Sequence, residues 1–191
     1  MIVLVALTLL VALLGSAMVS VGIAAAHVWK RGPWWATIAG GAAGGLLVGA
    51  FVRLLGIDAF NLLFGRAPSG MTGGLEGAAL GAVAGFAFWV ASRRTDARLR
   101  GKVAFAGALG AAAGLLIVVL GGHLLGGSLN LLAHEYDQSR LRLGQIGLLF
   151  GERGFGPVSE LITGALEAGL FAACVVGAIL YAQRRLLERR G

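Results

Sequence analysis

Five stretches of this chain are long and apolar enough to cross a membrane, and they constrain the fold more than any other feature. They cover residues 2–26, 34–55, 71–91, 103–125 and 159–182. A helix of about 20 apolar residues crosses a hydrocarbon core about 30 Å thick. Backbone polar groups find no water there, so a single spanning segment must be helical. The sequence therefore predicts an all-α integral membrane protein with a five-helix transmembrane bundle.

The placement of the charges agrees with this class. Charged residues are only 13% of the chain, about half the fraction of a soluble domain. The net charge of +7 derives from basic clusters that directly follow apolar stretches, where cations fix topology and contact anionic lipid headgroups. The two largest clusters are Arg93, Arg94, Arg98, Arg100 and Lys102, and Arg184, Arg185, Arg189 and Arg190. We therefore expect the lipid bilayer, and no nucleic acid, as a partner.

The same clusters predict an orientation. Lys30 and Arg31 follow the first stretch, and the larger clusters follow the third and fifth. The positive-inside rule then places the N-terminus outside and the C-terminus in the cytoplasm of a cell inner (plasma) membrane. Composition rich in Ala, Gly, Leu and Arg favours a bacterial source. The first stretch lacks a basic start and is too long for a cleaved signal, so it is interpreted as a retained helix.

An internal duplication is the most informative pattern. Residues 71–94 align without gaps to 162–185 with nine of twenty-four positions identical, including a shared Thr-Gly-x-Leu-Glu. Upstream, Gly-Leu-Leu at 45–47 recurs at 114–116, and Leu-Leu-Phe-Gly at 62–65 recurs at 148–151. Each unit is predicted to be a helix, an outward connection and a returning helix.

The duplication divides the chain into an N-terminal helix at 1–31, a first helical hairpin at 32–100 and a second at 101–191. Each hairpin contains an even number of spans, so both insert with the same polarity. A pseudo-two-fold axis along the membrane normal is expected to relate these tandem repeats, as in some transporters.

Small residues recur at four-residue spacing, which is the GxxxG or glycine-zipper pattern. Such residues let helix backbones approach closely, and in lipid this contact replaces the missing hydrophobic drive between helices. The pattern predicts tight packing within the chain or between copies of it. The helix-packing residues are Gly41, Gly45 and Gly49, then Gly73, Gly77, Gly81 and Gly85, and finally Gly164, Ala168 and Ala172.

Glu76 and Glu167 are the sharpest candidates for a functional site, because acidic groups inside a membrane are costly unless paired, protonated or hydrated. Arg53 and His123 occupy matching places near the ends of the preceding stretches. Three roles stay open: structural pairs Arg53–Glu76 and His123–Glu167, an ion or proton site, or a contact for a partner helix.

No catalytic motif is recognisable, so an enzyme and a cofactor are not expected. The polar residues His134, Glu135 and Asp137 of the connection 126–158 match no metal-binding spacing, so no metal is expected either. The favoured function is a non-catalytic membrane subunit or scaffold that packs with other membrane proteins or its own copies. The alternative is a small channel or transporter for a cation, proton or small solute that uses Glu76 and Glu167.

Overall fold

A computed structural model describes residues 2–29, 33–64, 73–94, 98–124, 126–128, 130 and 144–188. Every long regular element in these ranges is an α-helix, which confirms the all-α class. The helices are α1 (Ile2–Trp29), α2 (Trp34–Phe64), α3 (Gly74–Arg93), α4 (Leu99–Val119), the short α5 (Gly144–Leu149) and α6 (Pro157–Glu188). The polar stretch at 134–140, Lys30, Arg31, Arg189 and Arg190 lie outside the described residues.

Four helices are long and apolar enough to cross a membrane, as in a membrane protein. These spans are Trp34–Asp58, Gly74–Arg93, Leu99–Val119 and Pro157–Leu186. They coincide with four of the five predicted stretches. In the first helix, the apolar part with described side chains is Ala12–Val28, which is shorter than a span. A fifth span therefore stays a prediction.

The distribution of side-chain sizes is the reverse of that in a water-soluble bundle. Buried positions are mostly Gly and Ala, and Phe88 is the largest fully buried side chain among the described residues. Large apolar side chains point outward along every long helix, among them Leu13, Phe51, Leu75 and Leu170. A soluble protein rarely exposes so continuous an apolar surface, whereas lipid solvates it.

The helices α2 and α3 pack antiparallel through their glycines. A methyl group on Gly41, Gly45 or Gly49 would collide with a backbone carbonyl of α3, that of Gly81, Gly77 or Gly73 respectively. The backbones are thus in direct contact over three turns. This pair forms the largest interface between helices of the described chain.

The helices α4 and α6 form the second large interface, also antiparallel and lined by small residues. A Cβ on Gly110 would lie 2.7 Å from the Ala172 Cβ, and one on Gly114 would lie 2.7 Å from the Ala168 Cβ. A Cβ on Gly164 would lie 2.8 Å from Val118 Cγ2. Alanine and valine replace part of the glycine here, so this interface is less close.

The two pairs meet around one central cluster. Phe88 of α3 packs there with Ala106 of α4 and Val175 and Val176 of α6. The helix α1 joins through Val19 and Ile23 and packs mainly on α2. The His27 ring also contacts Phe88 edge-on, with ring centroids 5.5 Å apart.

Two helix ends differ from the sequence prediction. The helix α2 continues nine residues beyond the predicted end at 55, since no glycine or proline interrupts 57–64. The helix α4 instead ends at Val119, before His123. Gly121 has φ 81°, its N–H donates to Val118 O, and the Gly122 N–H donates to Ile117 O. This is a Schellman C-terminus, which the Gly121-Gly122 pair signals.

The close approach of α2 and α3 predicts the effect of one methyl group. Gly45→Ala should lower the free energy of unfolding by about 1–3 kcal/mol, because two backbones must separate. Gly101→Ala is the matched control, since a Cβ there meets open space. It should leave stability unchanged or raise it by up to about 1 kcal/mol through helix propensity. Unfolding in mild detergent measures both variants, and equal effects would contradict the interface.

Candidate functional site

The polar residues of interest gather at one end of the bundle, which we call the loop end. There α3 and α6 begin and α4 ends. The opposite end, where α3 ends, α4 begins and α6 ends, is called the arginine end. Glu76 approaches the second hairpin at the loop end, since its Oε1 lies 3.3 Å from where a Cβ on Gly122 would be.

Glu76 closes the first turn of α3. Its Oε2 accepts a hydrogen bond of 2.8 Å from the Gly73 N–H, three residues earlier. An acidic side chain at this position satisfies a backbone donor and also interacts favourably with the positive end of the helix dipole. The carboxylate is half-buried. Its bond holds Gly73, whose backbone lies against Gly49 of α2.

The expected Arg53–Glu76 ion pair is not formed within the described part of the chain. The Arg53 Cβ approaches Gly73, lying 3.4 Å from where a Cβ on that glycine would be, but its side chain is exposed. Arg53 is thus an exposed residue within α2, which continues eleven residues beyond it to Phe64.

His123 bonds to Glu160, a residue that the sequence reasoning did not single out as its partner. The His123 Nδ1 and Glu160 Oε1 atoms lie 2.8 Å apart, and both side chains are about a quarter exposed, at 28% and 24%. Glu160 stands in the first turn of α6, where the helix dipole favours an acid. The bond ties the segment that follows α4 to the beginning of α6.

Glu167 lies deeper in α6, about two turns beyond Glu160. Its Oε1 accepts a 2.9 Å hydrogen bond from the Gly126 N–H. Gly126 belongs to a helical turn at 126–128 that follows the irregular segment 122–124. Glu160 and Glu167 therefore hold His123 and Gly126 against the same helix.

Glu152 caps the beginning of α6. Its carboxylate accepts hydrogen bonds from the backbone N–H groups of Gly156, Val158 and Ser159 at 3.1, 3.0 and 2.9 Å, and from the Ser159 hydroxyl. These bonds satisfy donors that the first turn of a helix leaves without intrahelical partners. The Ser159 hydroxyl is the main cause that lowers the pKa of Glu152 below its ordinary 4.5, helped by the three backbone bonds and opposed by lost hydration.

The structure thus brings Glu76, His123 and Glu167 together at one end and adds Glu152 and Glu160. A signal for Glu160 was present in the sequence. Pro157 follows glycine and precedes Glu160 by three residues, a typical helix beginning with proline first and an acid in the first turn. No group of three or more His, Cys, Asp or Glu side chains able to hold a metal occurs in the described ranges.

Comparison with known proteins found no match to any family model, curated protein or solved structure. The site is therefore interpreted from its own geometry. Its carboxylates accept hydrogen bonds that fasten helix ends, and its one histidine bonds to a carboxylate.

Protonation of Glu152 should loosen the beginning of α6. Because its folded pKa is lowered, its stabilisation is full above the unfolded value and is lost as pH falls through the folded value. Amides 156, 158 and 159 should be protected from hydrogen exchange at about pH 6.5 and less protected at about pH 3, after correction for intrinsic rates. Glu152→Gln should lose protection at both values. Unchanged protection in this variant would contradict the cap.

Proposed function

We propose that the protein is a non-catalytic integral membrane subunit or scaffold. The observation that carries this proposal is the use made of the intramembrane acids. Glu76 and Glu167 both accept backbone hydrogen bonds that fix helix ends or loops of the same chain. Groups bound in this way stabilise a fixed bundle.

Matching contacts in the two hairpins support a repeat architecture. The sequence alignment equates Gly41, Gly45 and Gly49 of α2 with Gly110, Gly114 and Val118 of α4. It also equates Gly81, Gly77 and Gly73 of α3 with Ala172, Ala168 and Gly164 of α6. Each α2–α3 contact therefore has a counterpart between α4 and α6 at the equivalent positions. We infer two tandem hairpins related by a pseudo-two-fold axis along the membrane normal.

We further propose that α1 is a fifth span and that the arginine end faces the cytoplasm of a bacterial inner membrane. The helix α1 has 28 residues without a charged side chain, long enough to cross the hydrocarbon core. More of the described cations lie at the arginine end than at the loop end, and the positive-inside rule assigns the more basic end to the cytoplasm. An odd number of spans then leaves the N-terminus outside.

The packing of the helices limits which of their faces a partner protein could contact. Because the glycine faces of α2 and α3 contact each other, they are not available to a second protein. The outer faces carry large apolar side chains instead, such as Leu9, Leu10, Leu13 and Leu14 on α1. Other membrane subunits, or a second copy of the chain, would pack against such faces in exchange for lipid.

A small channel or transporter is the second candidate, and one specific observation favours it. Three carboxylates of two different hairpins lie at the same end of the bundle: Glu76 near Gly122, Glu160 on His123 and Glu167 on Gly126. Acids and histidines inside membrane helices commonly mark cation or proton paths. The two proposals assign these acids different roles, a structural one in a scaffold and a transport one in a conduit.

Purification from native membranes and flux in liposomes distinguish the two candidates. A scaffold should co-purify in mild detergent with a stoichiometric membrane protein and should give proton or cation flux no higher than empty liposomes. A conduit should give flux that the double variant Glu76→Gln with Glu167→Gln removes. Glu188→Gln, at the exposed end of α6, is the control. The scaffold proposal would be overturned if the double variant, but not Glu188→Gln, abolished flux and no partner co-purified.

Site-specific labelling tests the five-span orientation. In a Cys174→Ala background, Arg153→Cys at the loop end should react with an impermeant maleimide from outside intact cells. Arg98→Cys at the arginine end should react only after permeabilisation. An epitope added before Met1 should be reached from outside, because five spans separate it from a cytoplasmic C-terminus. Detection of that epitope only in permeabilised cells would exclude α1 as a span.

A further inference from the structure

We propose that the arginine end holds a binding site for the headgroup of an anionic phospholipid, formed by the end of α3, the beginning of α4 and the end of α6. Such a site depends on this end of the bundle alone, and it is compatible with both a scaffold and a conduit.

Three arginines at this end are braced against aromatic rings. The Arg93 guanidinium carbon lies 4.8 Å from the centroid of the Trp89 ring, and that of Arg94 lies 4.8 Å from the Phe105 ring. On α6, the Arg185 guanidinium lies 5.3 Å from the Tyr181 ring and donates hydrogen bonds of 3.0 and 2.8 Å to its hydroxyl. A cation–π contact restricts the flexible side chain, and at Arg93 and Arg94 it leaves the guanidinium edge available.

The three helix ends are neighbours. The Arg94–Phe105 contact joins the end of α3 to the beginning of α4. A Cβ on Gly177 of α6 would lie 3.3 Å from Val103 Cγ2 of α4. Leu99, between Arg98 and Arg100, packs against the central cluster that includes Leu180 of α6. The arginines of α4 and the arginines that follow Leu180 therefore lie at the same end of the bundle.

This end carries a large excess of positive charge. Among described residues it holds seven cations and one acid, Glu188, which lies 3.8 Å from Arg185. All seven cations except Lys102 are exposed, and Lys102 is half-buried. The cations are Arg93, Arg94, Arg98, Arg100, Lys102, Arg184 and Arg185.

A lipid phosphodiester fits this site better than a soluble anion does. The braced arginines stand at the ends of membrane spans that finish at Arg93 and Leu186, which is the depth of the headgroups. A planar guanidinium recognises phosphate oxygens by paired hydrogen bonds. The exposed apolar side chains just below, such as Phe86, give the acyl chains a surface to contact.

Native mass spectrometry with added lipid tests the proposal on the full chain. Phosphatidylglycerol should bind more tightly than phosphatidylcholine. Arg93→Gln with Arg94→Gln should weaken phosphatidylglycerol binding about 25-fold, at about fivefold for each cation near an anionic surface. Arg53→Gln with Arg153→Gln removes the same charge at the loop end and should change binding less than threefold, on the order of a screened long-range effect.

Folding and ligand identity are controlled separately. Arg98→Gln with Arg100→Gln, at the exposed beginning of α4, should also weaken phosphatidylglycerol binding, which keeps the test valid if the first variant unfolds. Equal binding of the two lipids would overturn the proposal, as would equal losses at the two ends of the bundle. Displacement of the lipid by inorganic phosphate at constant ionic strength would also overturn it, because the site would then recognise free phosphate.

Discussion

Direct contact between the backbones of α2 and α3 is the constraint on which the rest of the bundle depends. In lipid, apolar side chains gain nothing by leaving the solvent, so helices associate through close packing and interhelical bonds. Glycines at four-residue spacing remove the side chains that would hold the backbones apart. Gly45 and Gly77 meet at the middle of this interface, each against the backbone of the other. The small residues between α4 and α6 perform the same function in the second pair.

The bundle thus has an interior of mostly small residues and two polar ends, one rich in acids and the other rich in cations. At the loop end, Glu76, Glu152, Glu160 and Glu167 accept hydrogen bonds that fix where helices begin and where a loop lies. At the arginine end, guanidinium groups lie on aromatic rings, and Glu188 is the one acid among the residues described there. The acids of the loop end are thus engaged within the chain, whereas most of the described cations of the arginine end are exposed.

The helical class, four spans and most of their bounds follow from apolar length and glycine spacing, since both depend on local sequence. The helix ends were less predictable. The continuation of α2 to Phe64 depends on the absence of a breaker, and the early end of α4 depends on the positive φ of Gly121. The partner of His123 depended on tertiary geometry. Repeat matching pointed to Glu167, whereas the structure bonds His123 to Glu160, beyond the end of α4 at Val119.

The most direct test of the central claim is solid-state NMR of the protein in lipid bilayers, with glycine carbonyl and α carbons labelled. Short-range cross-peaks are predicted between Gly45 and Gly77 and between Gly41 and Gly81, because their backbones touch. Larger residues at these positions would not allow such contacts. Absence of both pairs of cross-peaks in a folded, reconstituted sample would contradict the account.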